Sequence, residues 1–574
     1  NRLLHVVSGA DFGYEYRYGR SGRHPLVCWY GENPGTLGMI GALGEAACGL
    51  ISFGPDSLLS ASWTDNRVDL HRLNPQGASF TATREPFLSG PDDFRPVHFA
   101  YSSDARYLYF TDWVKLSYPV HGHGRIWRVK FKEPIDLKPA PRDQPAEDIS
   151  AADAIAMLGS DDAYVRTRAM HILEKDLDSL INHAWQEDAN AIARSHYAVA
   201  RKRADASRHE DLIPELLVDR DSSVRFVGIK WIADEGLKQY RSRLEDLLNR
   251  SDLSRRDLRG IVAAIARISG DSKKEFSPDN KLLELALDSS KPASLRAIAL
   301  QDVDVDHKEL DIDVLSDLAL GENELRIKVE AVRSLVLHAS PKRSSVLSRV
   351  ASDESLEANL RADAIAGLAS DASDHVDLLS QLSASSSEIV ANEAQRTRVS
   401  AGLVDRVIEA KPKSTDVNDW VAWLDGERES EADPSVGRRL FFHAKFAGCY
   451  KCHAMNGRGR SVGPDLTTIH RQSGIDEKWL LEHIVNPNAE MAPYYRPQQL
   501  LTYDGEILTG LILGNEGKKQ AYVGADGNIF YIDKEDVEAR RELTTSIMPS
   551  GLLDPLSASE VRDLIAYLMK GTGA

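Results

Sequence analysis

The sequence predicts a multidomain protein with a partial β-propeller, an all-α solenoid of HEAT-like repeats and a small helical C-terminal domain with a β insertion. Three observations predict this class. Alternating, aromatic-rich β patterns fill the N-terminal part, helical motifs recur in the middle, and a Cys-x-x-Cys-His motif lies near the C-terminus. The predicted domains are residues 1–131, 149–405 and 434–574, with linkers at 132–148 and 406–433.

Length and charge exclude several functions. The 574 residues leave room for about three or four domains. No run of 18 or more apolar residues occurs, so no transmembrane segment is predicted. The net charge of −17 disfavours nucleic acid and anionic membranes as partners. The acidic surface would suit a basic redox partner, or serve solubility alone.

Two N-terminal segments share one pattern, which predicts propeller blades. Each has a turn with Asp, a β-rich run that ends in Trp, and an alternating strand, over residues 53–73 and 99–131. Trp113 follows Trp63 by 50 residues, a spacing typical of blades. Propellers have roughly four to eight blades, and this region holds two or three. We therefore expect residues upstream of Asn1, or another chain, to complete the propeller.

The middle of the chain repeats a helical motif. An acidic or Ser-rich turn precedes an apolar residue and Arg, and a helix follows, at steps that match short HEAT-like repeats. We expect the Arg and Asp side chains to form a ladder that caps helices and pairs with the next repeat. A concave docking surface for a partner protein is the alternative. The motif arginines are Arg166, Arg225, Arg296, Arg326 and Arg361, with Arg256 or Arg259 between the second and third.

The motif Cys449-Tyr-Lys-Cys452-His453 is the attachment signal for a c-type haem. The thiols would add across the porphyrin vinyl groups, and His453 would be the proximal iron ligand. A redox Cys pair and a zinc site completed by His443 or His470 are the alternatives. Haem is attached to c-type cytochromes outside the cytoplasm, so the motif predicts a periplasmic or exported location.

Two helices are predicted to enclose this motif as in class I-like cytochrome c domains. The first begins near Pro434, and its Gly437 and Phe441 spacing resembles the N-terminal helix of small c-type cytochromes. That resemblance implies that Gly437 lets this helix cross the second closely. The second begins after Ser557, which forms a predicted capping box with Glu560. Its apolar face is Val561, Leu564, Ile565 and Leu568.

Several runs resemble the large haem-binding, dehydrogenase-like proteins of planctomycetes and their relatives. The runs are Leu4-His-Val6, Asp11-Phe-Gly13, Phe94-Arg-Pro-Val97, Thr111-Asp-Trp113, His123-Gly-Arg-Ile-Trp-Arg128, Gly457-Arg-Gly459, Val462-Gly-Pro-Asp-Leu466 and Ser546-Ile-Met-Pro549. The resemblance covers the whole chain. It departs from the family at 114–122, where the usual insert is longer. That shortening weakens the prediction of a substrate site there.

The resemblance implies a dehydrogenase whose propeller oxidises a sugar or alcohol and whose haem c passes electrons to a redox partner protein. A non-catalytic subunit that relays electrons for a separate enzyme chain is the alternative. The propellers of this family are similar to sugar dehydrogenases that use pyrroloquinoline quinone. That cofactor would belong to the complete propeller, and this chain alone does not support it. No catalytic residues are predicted.

The resemblance also assigns ligands. The Pro464 carbonyl would accept the Nδ1 proton of His453 and fix its tautomer. Met548 would be the distal ligand, and a β insertion at about 497–540 accounts for its distance from the motif. The other distal candidates are Met455, Met491, His443, His470 and His483.

Some polar and aromatic residues outside the motif keep two interpretations. Cys28 and Cys48 form a disulfide or stay unpaired. Four N-terminal histidines line a site or only pack in loops, and the second reading is favoured. Trp420 and Trp423 lie on a predicted short helix and should pack on a neighbouring domain. The four histidines are His5, His98, His121 and His123.

Overall fold

The computed structural model combines α-helices with several small antiparallel sheets. It describes residues 2–13, 31, 33–44, 46–117, 119–137, 149–205, 209–269, 278–406, 410–413, 415–426, 431–460, 462–471, 475–489, 491, 495–516 and 518–570. Cys28 lies outside these ranges, and Cys48 is an exposed free thiol.

The N-terminal part forms three antiparallel sheets, ordered β1-β2, β3-β4-β5-β6 and β7-β8-β9. The two repeated segments form equivalent hairpins, β4–β5 and β8–β9, and their sheets share one apolar core around Leu59, Phe99 and Phe110. No sheet closes on itself among the described residues. The strands are β1 Arg2–Leu3, β2 Gly41–Ala42, β3 Ala47–Ser52, β4 Ser57–Ser62, β5 Arg67–Gln76, β6 Ser79–Ser89, β7 Pro96–Tyr101, β8 Tyr107–Asp112 and β9 Arg125–Lys130.

The middle part is an array of short helices whose neighbours pack in sequence order over one continuous apolar core. The helices are α1 Ala151–Met157, α2 Ala163–Leu173, α3 Leu177–Ile181, α4 Ala191–Ala204, α5 Ile213–Leu217, α6 Ser222–Glu235, α7 Arg241–Leu247, α8 Arg255–Ile268, α9 Pro278–Leu287, α10 Ala293–Asp302, α11 Ile312–Leu320, α12 Leu325–Leu337, α13 Arg343–Ser352, α14 Ala358–Gly367, α15 Val376–Leu382 and α16 Glu388–Ser400.

The predicted ladder of Arg and Asp is confirmed in part. Asp162 and Asp221 cap the N-termini of α2 and α6. Arg296 and Arg361, however, donate to backbone carbonyls of the preceding helix at 3.0 Å. Arg326 is exposed, and its Nε lies 3.7 Å from Glu324 Oε2. Arg166 and Arg225 also donate to turn carbonyls, those of Ser160 and Asp219. Most motif arginines therefore hold turns together by binding carbonyl groups, many of which helix ends leave without partners.

The C-terminal part packs helices α18 and α20 around the Cys-x-x-Cys-His turn. Its elements are α17 Val417–Asp425, α18 Pro434–Phe441, β10 Ala454–Met455, β11 Arg458–Gly459, α19 Glu477–Val485, β12 Gln498–Thr502, β13 Ile507–Glu516, β14 Lys519–Val523, β15 Ile529–Asp533, β16 Val537–Glu542 and α20 Ala558–Lys570. A Cβ atom on Gly437 would collide with the Asp563 carbonyl oxygen, so the predicted close crossing of α18 and α20 is confirmed. Trp420 of α17 packs in the same core, which therefore begins before residue 434.

The predicted β insertion is a five-stranded sheet of order β15-β14-β13-β12-β16. The prediction missed its last strand, β16, which pairs with β12 and carries the sheet to Glu542. Every residue of β16 after Val537 is exposed, so the strand lacks the apolar alternation by which strands are recognised.

The C-terminal part docks on the helical array through buried ion pairs. Arg439 Nε lies 2.8 Å from Glu393 Oε2, and Arg458 Nη2 lies 2.9 Å from Glu330 Oε2. Arg438 pairs with Asp363. The carboxylates come from alternate helices, α12, α14 and α16. This part of the array's surface is thus covered by the chain's own C-terminal part.

Among the described residues, no helix combines the length and apolar character needed to cross a membrane.

Candidate functional site

The Cys-x-x-Cys-His motif folds as one tight turn. Gly448, in the left-handed conformation at φ +61°, leads into the 3₁₀ turn Cys449–Lys451. The backbone N–H of His453 donates to the Cys449 carbonyl at 2.8 Å and closes the turn. Both thiols and the imidazole therefore come from a single turn of backbone.

The His453 ring is held in one tautomer. Its Nδ1 lies 2.8 Å from the Pro464 carbonyl oxygen, so Nδ1–H donates and Nε2 keeps its lone pair. The N–H groups of Val462 and Gly463 donate to the Cys452 carbonyl at 2.9 and 2.7 Å, which fixes the Pro464 loop to the motif. Burial lowers the pKa of His453. The imidazole is thus neutral at pH 7, the form that binds a metal.

Glycines make room for this ring and its backbone. A Cβ atom on Gly463 would lie 2.6 Å from Cε1 and 2.8 Å from Nδ1 of His453. A Cβ atom on Gly459, which has φ +92°, would collide with the His453 carbonyl oxygen. In the sequence both glycines stand out only through the resemblance. Their contacts with His453 join residues several positions apart, so no local pattern requires a glycine at either position.

The surroundings of the two thiols do not favour a redox pair. Both are free, and burial raises the pKa of Cys449 to about 12 and raises that of Cys452 as well. Redox Cys-x-x-Cys pairs have a lowered thiol pKa. The structure therefore disfavours the redox alternative.

The residues of the alternative zinc site are not brought together either. His443 is buried, and its Nδ1 accepts from the N–H groups of Lys445 and Phe446 at 3.2 and 3.1 Å. Within the described ranges, no three His, Cys, Asp or Glu side chains gather around a common metal position.

The Met548 segment lies beside the motif, although 95 residues separate Met548 from His453. Ile547 packs in one apolar cluster with Cys452 and Val462. The N–H of Ser546 donates to Asn488 Oδ1 at 2.7 Å. Met548 itself is half-buried. The β insertion supplies the rest of the cluster through Leu511, Leu513 and Val523, so it covers the Cys452 side of the turn.

The other distal candidates lie in different surroundings. Met455 is fully buried in the main core of the C-terminal part. His483 stacks on Trp479 with ring centroids 3.6 Å apart, and its Nδ1 lies 2.8 Å from the Trp479 carbonyl oxygen. Its Nε2 is buried without a hydrogen bond to any described residue. Met491 and His470 are half-buried.

In the N-terminal part, residues of the Phe94–Val97, Thr111–Trp113 and His123–Arg128 runs bind one another. The buried Asp112 carboxylate accepts from Trp127 Nε1 at 2.8 Å, Arg125 Nε at 3.0 Å and the backbone N–H of Arg95 at 2.8 Å. Arg95 Nη1 in turn donates to the Trp63 carbonyl at 3.0 Å. The Asp-Trp and Gly-Arg-Ile-Trp runs thus tie two strands and two sheets together.

The N-terminal histidines take packing and loop positions. His5 stacks on Tyr164 and lies 2.9 Å from Ser79 Oγ. His98 is exposed. His121 and His123 stack on each other in the loop before β9. His5, His121 and His123 therefore agree with the favoured interpretation, whereas His98 lies exposed on strand β7.

The arrangement around Cys449, Cys452 and His453 fits covalent attachment of a haem. It offers two thiols on one turn, a neutral imidazole with a free Nε2 lone pair, and a glycine against the ring. No protein-family model matches the chain, and a search of curated proteins finds no match.

Proposed function

We propose that the chain is a periplasmic or exported electron-transfer protein that binds one haem c through Cys449, Cys452 and His453. In this proposal it is the haem-bearing part of a propeller-type dehydrogenase that oxidises a sugar or alcohol. One observation carries the proposal: the Pro464 carbonyl holds His453 as a neutral ligand on the same turn as two thiols.

The residues would have distinct roles. A bound haem would supply one-electron redox chemistry. Pro464 keeps Nε2 of His453 available to hold the iron, and Met548 would be the other residue that holds it. A Met ligand raises the reduction potential relative to a His ligand. The insertion keeps water from the Cys452 side, because Leu511 and Val523 are buried against it.

The proposal also assigns a fold to each of the three parts of the chain. The sheets β3–β6 and β7–β9 would be neighbouring propeller blades, because they are antiparallel meanders with a shared core. The helical array at 149–405 would be a HEAT-like solenoid. The residues at 434–574 would be a class I-like cytochrome c domain, supported by the crossing of α18 and α20.

One relationship between parts supports a dehydrogenase. The charges of Arg496 and Glu542 act on Arg95, so the insertion lies near the N-terminal sheets. At its other side, Arg460 donates to the Gly527 carbonyl of the insertion, next to the haem motif. The insertion thus contacts the haem motif on one side and lies near the N-terminal sheets, the proposed propeller blades, on the other.

A non-catalytic relay subunit is the second candidate. The observation that favours it is the Asp112 network, which engages the N-terminal motif residues in holding sheets together. In this version a separate enzyme chain supplies the electrons. Reduction of the purified chain's own haem by a candidate sugar or alcohol would contradict it.

Haem attachment is the decisive test. The full chain would be exported in a host that ligates haem c, and the intact mass and the pyridine haemochrome spectrum would be measured. We expect one covalent haem per chain. The double variant Cys449→Ser/Cys452→Ser should lose it, whereas the control Cys48→Ser, at an exposed free thiol, should keep it. A wild-type chain without covalent haem would refute the proposal.

A further inference from the structure

The stretch around the motif is basic in an acidic protein. Residues 434–464 contain six Arg or Lys residues and no Asp or Glu, whereas the whole chain has a net charge of −17. Composition alone would predict that the protein attracts a basic redox partner. The structure divides the six cations into two groups with different roles.

Three of the cations are neutralised inside the molecule. Arg438, Arg439 and Arg458 bind Asp363, Glu393 and Glu330 of the helical array, and their side chains are 14%, 3% and 6% exposed. These pairs hold the C-terminal part in place and present no charge to solvent.

The other three, Lys445, Lys451 and Arg460, are exposed and lie together, and we call them the basic rim. Lys451 Nζ donates to the Ala444 carbonyl at 2.9 Å, next to Lys445. The backbone N–H of Arg460 donates to the Tyr450 carbonyl at 2.9 Å, next to Lys451.

The basic rim keeps a net positive charge. None of its three members forms an ion pair in the part of the chain that the structure describes. Asp526, exposed at the tip of the insertion, is an acidic group whose charge interacts with Arg460. It offsets one of the three positive charges.

An exposed apolar strip adjoins the basic rim. Ile529 and Tyr531, on strand β15, are 54% and 51% exposed. Ile529 pairs with Val523, so the two side chains share one face of the sheet. Val523 packs against Cys452 and Val462 on that face. Apolar surface beside a charged rim is the composition of protein interfaces.

We infer that the basic rim and the Ile529–Tyr531 strip form the docking surface for a redox partner protein with an acidic surface. This inference rests on the proposed function. The net charge would repel an acidic partner from the rest of the molecule, so the rim would orient that partner toward the Cys-x-x-Cys-His turn. One electron would leave the reduced chain and reduce the acceptor.

Ionic strength provides a test with opposite outcomes. The reduced full chain is mixed in a stopped-flow instrument with hexacyanoferrate(III), a trivalent anion, and separately with a small acidic blue-copper protein. If the rim governs, both rates should fall about 3- to 10-fold between 10 and 200 mM salt. If the net charge governs, both rates will rise, and the inference is overturned.

Charge-reversal variants test whether the basic rim causes the salt dependence of the two rates. The triple variant Lys445→Glu/Lys451→Glu/Arg460→Glu should reverse the salt dependence for both acceptors. The control Lys115→Glu/Lys132→Glu/Lys308→Glu changes net charge equally at exposed sites elsewhere and should behave as wild type. An unchanged salt dependence in the rim variant would overturn the inference.

Two further readouts separate the possible failures. The pyridine haemochrome spectrum of each variant reports haem attachment, and its absence from wild type would refute the proposed function and this inference together. If haem is attached but the rates rise with salt, or the rim variant keeps the wild-type salt dependence, the docking surface alone is refuted. Rim-dependent binding to phosphatidylglycerol vesicles, without a rim effect on the blue-copper protein, would identify a membrane surface and overturn the inference.

Discussion

Arg439 of helix α18 and Glu393 of helix α16 form a buried ion pair, with Nε and Oε2 2.8 Å apart and side-chain exposures of 3% and 0%. Glu393 also binds Arg396, which binds Glu560 of α20 at 2.7 Å. The helical array and the proposed haem domain thus share one buried network of charges. Their mutual position is fixed by side chains far apart in the sequence.

Glu393→Ala should strongly destabilise the protein. It leaves Arg439 and Arg396 buried without this carboxylate, and loss of one partner of a buried pair costs about 3–5 kcal/mol. The measurement is urea unfolding followed by tryptophan fluorescence. The control Glu245→Ala breaks an exposed pair with Arg241 and should cost less than about 1 kcal/mol. Equal losses in the two variants would show that the network does not stabilise the docked arrangement.

Gly463→Ala should disturb the His453 ring. The added methyl group would lie 2.6 Å from Cε1, and overpacking of this kind costs about 1–3 kcal/mol. We expect a smaller fraction of chains with covalent haem and a changed absorption spectrum, measured on the exported protein. Gly124→Ala is the control, because its nearest neighbour would be 3.6 Å away. Wild-type haem content and spectrum in Gly463→Ala would contradict the role given to this glycine.

Local patterns were predictable from the sequence, and contacts between distant residues were not. The Ser557–Glu560 capping box is present, with the Ser557 N–H donating to Glu560 Oε2 at 2.9 Å. The same Glu560 also binds Arg396 and Arg406 at 2.7 and 2.9 Å. No spacing rule relates those residues, because their proximity depends on how the array curves.

In the candidate site, too, the local features were predictable and the contacts between distant residues were not. The five-residue motif is recognisable from its spacing, and the Pro464 contact, which the resemblance implied, lies within one loop. The clustering of Cys452 with Ile547 and the insertion depends on a five-stranded sheet. Its last strand has no apolar alternation, so neither that strand nor the covered side of the motif could be derived from the pattern.

Asp563→Asn should stabilise the protein at neutral pH. Burial, together with the charges of Asp433 and Glu560, raises the pKa of Asp563 to about 6. The fold therefore favours the protonated acid, and stability is lost as pH rises from about 4 to 6. At pH 7 the variant should gain up to about 3 kcal/mol, because Asn stays neutral and its carbonyl can still accept from the Asp433 N–H, at 2.7 Å in the wild type.

The measurement is urea unfolding of wild type and Asp563→Asn at pH 4 and pH 7. At pH 4 the two proteins should have nearly equal stability, because the wild-type carboxyl is already protonated. Asp554→Asn, on an exposed carboxylate, is the control and should show no such pH dependence. A variant that gains stability equally at both pH values would rule out titration of Asp563 as the cause.

Met548 and His483 are alternative distal ligands that make opposite spectral predictions. The Met548 segment packs on the Cys452 cluster through Ile547. His483 has a buried Nε2 without a hydrogen bond to any described residue, and its Nδ1 contacts the Trp479 carbonyl as the Nδ1 of His453 contacts Pro464.

With Met548 as the ligand, Met548→Ala should abolish the weak far-red Met-to-iron band and lower the reduction potential, because Met ligation raises it. His483→Ala should leave both unchanged. The measurements are far-red absorption of the oxidised protein and a potentiometric titration. A far-red band that is absent from wild type, together with a potential that changes only in His483→Ala, would assign the ligand to His483.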